Sequence, residues 1–228
     1  MNDFQIQCLK ANEELRDYIN NELSQNDFNH TSIVGEGGDI SANIDLIAED
    51  IFIKYLLKFG DIYSEESGII KSGLDNGYKI ILDPLDGSDN FLHRIPYYGT
   101  SIALQKDGVT VDAFIYNLVD GQCYTKENQI ITQNNPQIGI FERSYASFET
   151  CDMLYNMNLK YRSSGAVALS LANAINLKFV LFYGKARQFD LAAGLYICSD
   201  LNIYQNDDFL LVCKDTKTFE QIKEKIKE

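Results

Sequence analysis

Along residues 3–23, Cys8, Ala11, Leu15, Tyr18 and Ile19 recur at three- and four-residue steps, the stripe of an amphipathic helix. A second helix is expected from Ile44, where Ile47, Ala48, Ile51 and Tyr55 keep the helical period, with Ser41 as its cap and Gly60 as its stop. The pattern then changes to short apolar runs bounded by turn residues. Strands are expected at 62–64 and, behind the Asn76-Gly77 turn, at 78–82. Asp107-Gly108 and Asp120-Gly121 separate further strands at about 98–105, 109–117 and 122–125, so this stretch reads as an antiparallel meander. Beyond it helices near 148–156, 167–175 and 191–199 alternate with strands near 160–162, 179–183 and 209–212, and a last helix runs through Phe219, Ile222 and Ile226. Residues 129–145 show no clear period. Helices between strands imply an α/β fold of packed layers.

Composition narrows the picture. With 228 residues, 45% of them hydrophobic, the chain can bury a substantial core. Three scattered prolines and no Gly/Ser-rich linker point to one domain over 1–228, with two sub-lobes at approximately 1–125 and 126–228. A net charge of −13 repels phosphate backbones, so nucleic acid is not an expected partner. The same acid repels a phosphorylated metabolite too, unless some carboxylates hold divalent cations that reverse the local sign. Five cysteines without a C-x-x-C pair suit a reducing cytoplasm, and neither an export signal nor an apolar stretch long enough to cross a bilayer is visible. A cytoplasmic protein that does not engage membranes is expected.

The densest chemical signal is Asp83-Pro84-Leu85-Asp86-Gly87-Ser88-Asp89-Asn90-Phe91. A strand end delivers Asp83, the proline forces a turn, Asp86 returns to the same side, and Gly87-Ser88 can open a helix whose free N–H groups accept phosphate oxygens. Hard oxygen ligands and a phosphate cradle would then lie together. A surface turn uses the same residue types and is the alternative. The aspartates are three apart, which fits neither a haloacid-dehalogenase-type phosphatase nor a calcium-binding helix-loop-helix loop. Glu65-Glu66 closes an expected strand, and Asp190 opens an expected helix in Gln188-Phe189-Asp190-Leu191-Ala192-Ala193-Gly194. Each of these alone is more often a solvated charge or a helix cap. His93, beside Arg94, reads as structural, and the C-terminal lysines alternate with glutamates as a solvated face.

Taken together, Asp45, Glu65-Glu66, Asp83 to Ser88 and Phe189-Asp190-Leu191-Ala192-Ala193 resemble the inositol monophosphatase-like phosphatases, a lithium-sensitive family that includes enzymes for fructose 1,6-bisphosphate and 3′-phosphoadenosine 5′-phosphate. Asn90 to Pro96 and Arg162-Ser163-Ser164-Gly165 extend the likeness, which runs from about Gly38 to Gly194. The resemblance implies a layered α-β-α-β-α sandwich of the sugar-phosphatase type and magnesium-dependent hydrolysis of a small phosphomonoester, closest to inositol monophosphatase. It implies two or three Mg2+ ions, with Glu65, Asp83, the Leu85 carbonyl, Asp86 and Asp190 as ligands. By the same resemblance the attacking water is activated near Glu65 and polarised through Ser88, which Asp45 orients, while Gly87, Ser88, Asp86 and Gly165 border the phosphate. Lys185 and Arg187 are candidates for a second anionic group on the substrate.

The departures are Phe189 for the family's tryptophan, Ser88 for its threonine, and Tyr183 where inositol-specific members carry an acid. The segments after Tyr124 and Leu201 look trimmed. A fructose-1,6-bisphosphatase, a 3′-phosphoadenosine 5′-phosphate phosphatase, and a degenerate member that binds metal or a partner without turnover remain as alternatives, and a homodimer stays open as the assembly.

Overall fold

The computed structural model describes residues 1–132 and 134–227. Helix α1 (Asp3–Asn21) starts at Asn2, whose side chain accepts the Gln5 N–H, and turns Phe4, Cys8, Ala11 and Leu15 inward. With α2 (Asn43–Leu56) it covers one face of a six-stranded sheet. That sheet is built from β3 (Asp61–Ser64), β4 (Gly68–Ile70), β5 (Tyr78–Asp86), β6 (Gly99–Lys106), β7 (Val109–Asn117) and β8 (Cys123–Tyr124), in the order β4-β3-β5-β6-β7-β8. Among the described residues of this sheet only β3 and β5 run parallel; β5 to β8 form the expected antiparallel meander.

Successive side chains of a strand point to opposite faces, and β5 shows the result. Ile80 and Leu82 join the core under α1 and α2, whereas Ile81 faces the other way, into a layer with Leu169, Phe189, Ala193 and Ile197. Those four belong to the segments of α5 (Val167–Ala172) and α6 (Gln188–Ile197), which pack on the far face of the sheet. Their opposite sides, with Leu171 and Leu191, meet a second, five-stranded sheet. It has the order β10-β9-β11-β13-β12, from β9 (Ile138–Glu142), β10 (Lys160–Arg162), β11 (Val180–Tyr183), β12 (Asn202–Gln205) and β13 (Phe209–Cys213). Beyond it, Leu154 of α4 (Phe148–Asn156) and Phe219 and Ile222 of α7 (Thr216–Lys225) close the last core with Phe141, Phe179 and Leu211. The layers are therefore α-β-α-β-α, and the helices between the sheets are apolar on both sides because both sides are covered.

Several local expectations are corrected. The strand expected at 78–82 continues to Asp86. Ser41 does not cap α2: the cap is Ala42, whose N–H is taken by the Asp45 carboxylate, and the Ser41 hydroxyl donates to Glu66 instead. Residues 129–145, without a readable period, contain β9; Gln133 of that stretch lies outside the described residues. Strands β4 and β12, and a hairpin of β1 (His30–Val34) and β2 (Ile40–Ala42), had no expectation attached.

Candidate active site

The C-terminal end of β5 carries the first two carboxylates. Asp83 pairs with Ser101 of β6 and Asp86 with Gly99, so three steps on one strand match two on the other. That extra residue is a bulge, placed where Pro84 has no N–H to give the ladder. In a regular strand, residues three apart face opposite ways; the bulge resets the alternation and lets Asp83 and Asp86 share a side. Asp83 Oδ1 accepts the Leu85 N–H at 3.0 Å, and Asp86 Oδ2 accepts the Leu169 N–H of α5 at 3.1 Å.

Gly87 then turns the chain at φ +89°, where an L side chain is strained, and a Cβ there would stand 3.1 Å from both Ala166 Cβ and Gly165 O. Helix α3 (Ser88–Leu92) begins at once, so its first amides border the site. The Ser88 hydroxyl lies 2.9 Å from the Leu85 carbonyl and 3.1 Å from Asp45 Oδ1, and its single proton serves one of them at a time. Asp45 is fixed from the other side by the Ala42 N–H at 2.7 Å.

The remaining acids come from two other elements. Strand β3 runs parallel to β5 with Ser64 level with Leu82, which brings Glu65 beside Asp83; the Glu65 N–H bonds the Leu82 carbonyl at 3.0 Å. Asp190 sits in the first turn of α6, which the interlayer packing presses onto the sheet. Glu65, Asp83 and Asp190 each offer an oxygen within 4.8 Å of the others. Such crowding of buried like charges is unfavourable without a cation. Burial, reinforced by Glu65, Asp86 and Asp190, raises Asp83 well above the ordinary carboxylate range. Asp86 is raised in the same way by burial and by Asp190, and Asp45 chiefly by burial. Burial lifts Glu65 to about 8, although Arg187 beside it pulls the other way, and lifts Glu66 to about 7. An all-oxygen set that resists ionisation alone fits a hard divalent cation such as magnesium.

These groups line a cavity of about 940 Å³. Arg187 lines the cavity too, and its guanidinium is engaged by acids: its Nη1 lies 2.6 Å from Glu65 Oε1 and 2.9 Å from Asp39 Oδ2, and its Nε lies 3.2 Å from Asp190 Oδ2. Burial works against its charge, but Asp190 and Glu65 outweigh that and hold it firmly protonated. Lys185 lies exposed on the cavity wall. Gly165 also lines the cavity, but its N–H is given to Glu142 Oε2 at 2.9 Å. Tyr183 packs against the Phe209 ring and does not line the cavity, and neither does His93, which folds back to the Asp89 carbonyl.

Sequence reasoning missed Glu142, Arg143, Tyr145 and the hairpin tip with Gly37 and Asp39, all on the wall. Glu142 is 1% exposed and also accepts the Ser170 hydroxyl at 2.6 Å, fixing the 163–166 turn. The available signals were an acid closing the apolar run Ile138-Gly139-Ile140-Phe141, and the cluster Gly35-Glu36-Gly37-Gly38-Asp39 between β-branched residues.

A family model described as the inositol monophosphatase family matches residues 2–202. The fructose-1,6-bisphosphatase/inositol-1-monophosphatase of Thermococcus kodakarensis is 33% identical over 144 residues, 59% of this chain and 56% of that protein. The inositol-1-monophosphatase of Mesorhizobium japonicum is 42% identical over 93 residues, 40% of this chain and 35% of its own length. The matched stretches thus span from about a third to little more than half of these relatives. Among solved structures, the extragenic suppressor protein suhB from Bartonella henselae shares the fold with a TM-score of 0.73 at 24% identity, over 96% of each chain. No helix among the described residues is long and apolar enough to cross a membrane.

Proposed function

The chain belongs to the inositol monophosphatase family, and on that premise we propose that it is a magnesium-dependent phosphatase hydrolysing a small-molecule phosphomonoester. The observation that carries this reading is the convergence of Glu65, Asp83 and Asp190 oxygens within 4.8 Å, beside the Asp45–Ser88 pair. In this reading Glu65, Asp83, Leu85 O, Asp86 and Asp190 hold two or three cations. When bound, magnesium supplies charge neutralisation at the phosphate and lowers the pKa of water.

The protein's own groups do the rest. The Gly87 and Ser88 amides receive phosphate oxygens at the start of α3. Ser88, held by Asp45 and the Leu85 carbonyl, orients the attacking water, and Glu65 lies on the same side to accept its proton. Asp86 is fixed by the Leu169 N–H, so its carboxylate stays in register with Asp190 as the leaving oxygen departs. No covalent enzyme intermediate is required. Lithium inhibition goes with this reading, since a monovalent ion at the same carboxylates supplies less charge. Five unpaired cysteines suit a reducing compartment, and we place the protein in the cytoplasm on that count.

An inositol phosphate is the first substrate in this reading. A bisphosphorylated sugar or nucleotide is the second, favoured by Arg143 and Lys185 on the same wall. Phosphate release with and without Mg2+, across inositol phosphates, sugar bisphosphates, histidinol phosphate and adenosine bisphosphate, tests it. Magnesium-dependent release from at least one is expected; none from any would favour a non-catalytic member of the family.

A further inference from the structure

Arg187 touches the carboxylate cluster and the hairpin above it with one guanidinium. One edge of the fork faces Asp190, with Nε 3.2 Å from Oδ2 and Nη2 3.3 Å from Oδ1. Nη1 has two hydrogens and three acceptors: Glu65 Oε1 at 2.6 Å, Asp39 Oδ2 at 2.9 Å and the Gly37 carbonyl at 3.3 Å. Two of these partners are the acids assigned above to cation binding, and the other two belong to the turn between β1 and β2. The turn itself is seated on the pair. The Gly37 N–H bonds the Glu65 carbonyl at 2.9 Å, and a Cβ at Gly37 would stand 2.7 Å from Glu65 Oε1 and 2.8 Å from Arg187 Nη1. No side chain larger than hydrogen fits there without a shift, so the hairpin tip lies directly against the Glu65 and Arg187 side chains.

We propose that Arg187 is a resident cation that a divalent ion must displace from Glu65 and Asp190, and that this exchange loosens the hairpin tip and frees the guanidinium for an anionic substrate. The proposal rests on the cation-binding reading of those two acids. A doubly charged ion claims the same oxygen lone pairs and repels the guanidinium, so the two compete. Once displaced, Arg187 keeps only Asp39 and the Gly37 carbonyl, both on the hairpin, and the two move together. The tip is then held by the Gly37 N–H to Glu65 O bond, the Glu36 N–H to Glu66 O bond at 3.2 Å and the Tyr63 hydroxyl, which donates to Glu36 Oε1 at 2.9 Å. Before displacement the forked donors face carboxylates and cannot grip phosphate; afterwards several of them are released. Cation binding therefore precedes substrate binding, and Arg187 enforces the order.

Calorimetric titration of Mg2+ into wild-type and Arg187→Gln protein without substrate, together with amide hydrogen exchange over residues 35–39, tests this. Arg187→Gln should bind Mg2+ roughly tenfold more tightly, because a positive charge is removed from the edge of the site. Exchange at the hairpin tip should quicken in wild type when Mg2+ is added, and should be fast already and Mg2+-insensitive in Arg187→Gln. Arg187→Lys keeps the charge without the fork and should fall between the two. Asp39→Asn should quicken exchange at the tip without tightening Mg2+ binding. Unchanged or weaker Mg2+ affinity in Arg187→Gln, or a hairpin indifferent to Mg2+ in wild type, would overturn the proposal while leaving the cation sites standing. Absence of Mg2+ uptake by every variant would overturn both.

Discussion

The floor of the cavity and its rim are carried by different sheets. On the six-stranded sheet, Asp83 and Asp86 are each 4% exposed at the end of a strand whose Ile80, Ile81 and Leu82 are buried in two cores. At the rim, the five-stranded sheet is followed by Arg143, Tyr145 and Lys185, and Tyr145 is 84% exposed. Buried carboxylates are costly unless something pairs with them, so their positions are locked to a counter-charge and a chemistry. A side chain in solvent carries no such obligation. It can change with little loss of stability, which suits residues that read the variable part of a substrate.

The most severe test of this contrast is Asp83→Asn, expected to reduce phosphate release to background while the ion-free protein melts no lower than wild type. Removing one of several crowded charges relieves repulsion and leaves the packing untouched. A sharply lowered melting temperature would mean that the carboxylate supports the fold and that floor and rim do not differ in this way.

Next in size is a pH effect centred on the floor. Glu65 and Glu66 hold protons up to about 8 and about 7 in the folded state, against ordinary values near 4.5. The folded protein therefore binds more protons than the unfolded chain between those limits, and its stability falls as pH rises from about 4.5 to 8. Asp61, lowered to about 2 by Lys71 and Ser72, acts in the opposite sense and only below about pH 4. Melting curves without metal should decline across that window, and added Mg2+ should remove the decline. A flat or rising profile would show that the floor is not frustrated.

A smaller loss is expected at Ser88, the group proposed to orient the attacking water. Ser88→Ala should lower kcat about a hundredfold with Mg2+ affinity little altered, since it removes a positioned proton partner rather than a ligand. An unchanged kcat would remove Ser88 from the machinery.

The smallest effect belongs to the rim. Lys185→Ala should raise KM for bisphosphorylated substrates about tenfold, the scale of one charge-assisted contact, with monophosphates unaffected. Equal change on both substrate types, or on neither, would show that Lys185 does not read a second phosphate.

Legibility followed the same division. Asp83 to Ser88 announced itself because a proline bulge, two acids and a left-handed glycine must lie close together in sequence to lie together in space. The interlayer helices were readable because their apolar residues are continuous. Strand β9 was hidden: it is buried from Gly139 to Glu142, so it does not alternate, and an acid closes it. The β1–β2 hairpin was hidden for the opposite reason, since Ile33, Val34 and Ile40 are exposed and leave no buried stripe. The Arg187–Asp190 pair is local, three residues apart, but the engagement of Arg187 with the hairpin could not be read. It depends on Asp39, 148 residues away, and on a tertiary approach with no local signature. Ser41 failed as a cap because Asp45 reaches back to the Ala42 N–H and supplies the acceptor itself.

One feature of the layering bears on how the molecule comes into being. The six-stranded sheet is drawn from the contiguous stretch 61–124, and most of its neighbours are joined by short turns, so its contacts are local and form early. Helix α6, which brings Asp190, lies more than sixty residues further along and packs onto β5, β6 and β7 across the middle of the sandwich. If the sheet folds as it is synthesised, Glu65, Asp83 and Asp86 come together before their last companion is made. A nascent chain at that stage offers an incomplete coordination shell and binds ions weakly. On the proposed cation-binding reading, tight retention of a divalent ion would then wait until the C-terminal half has docked.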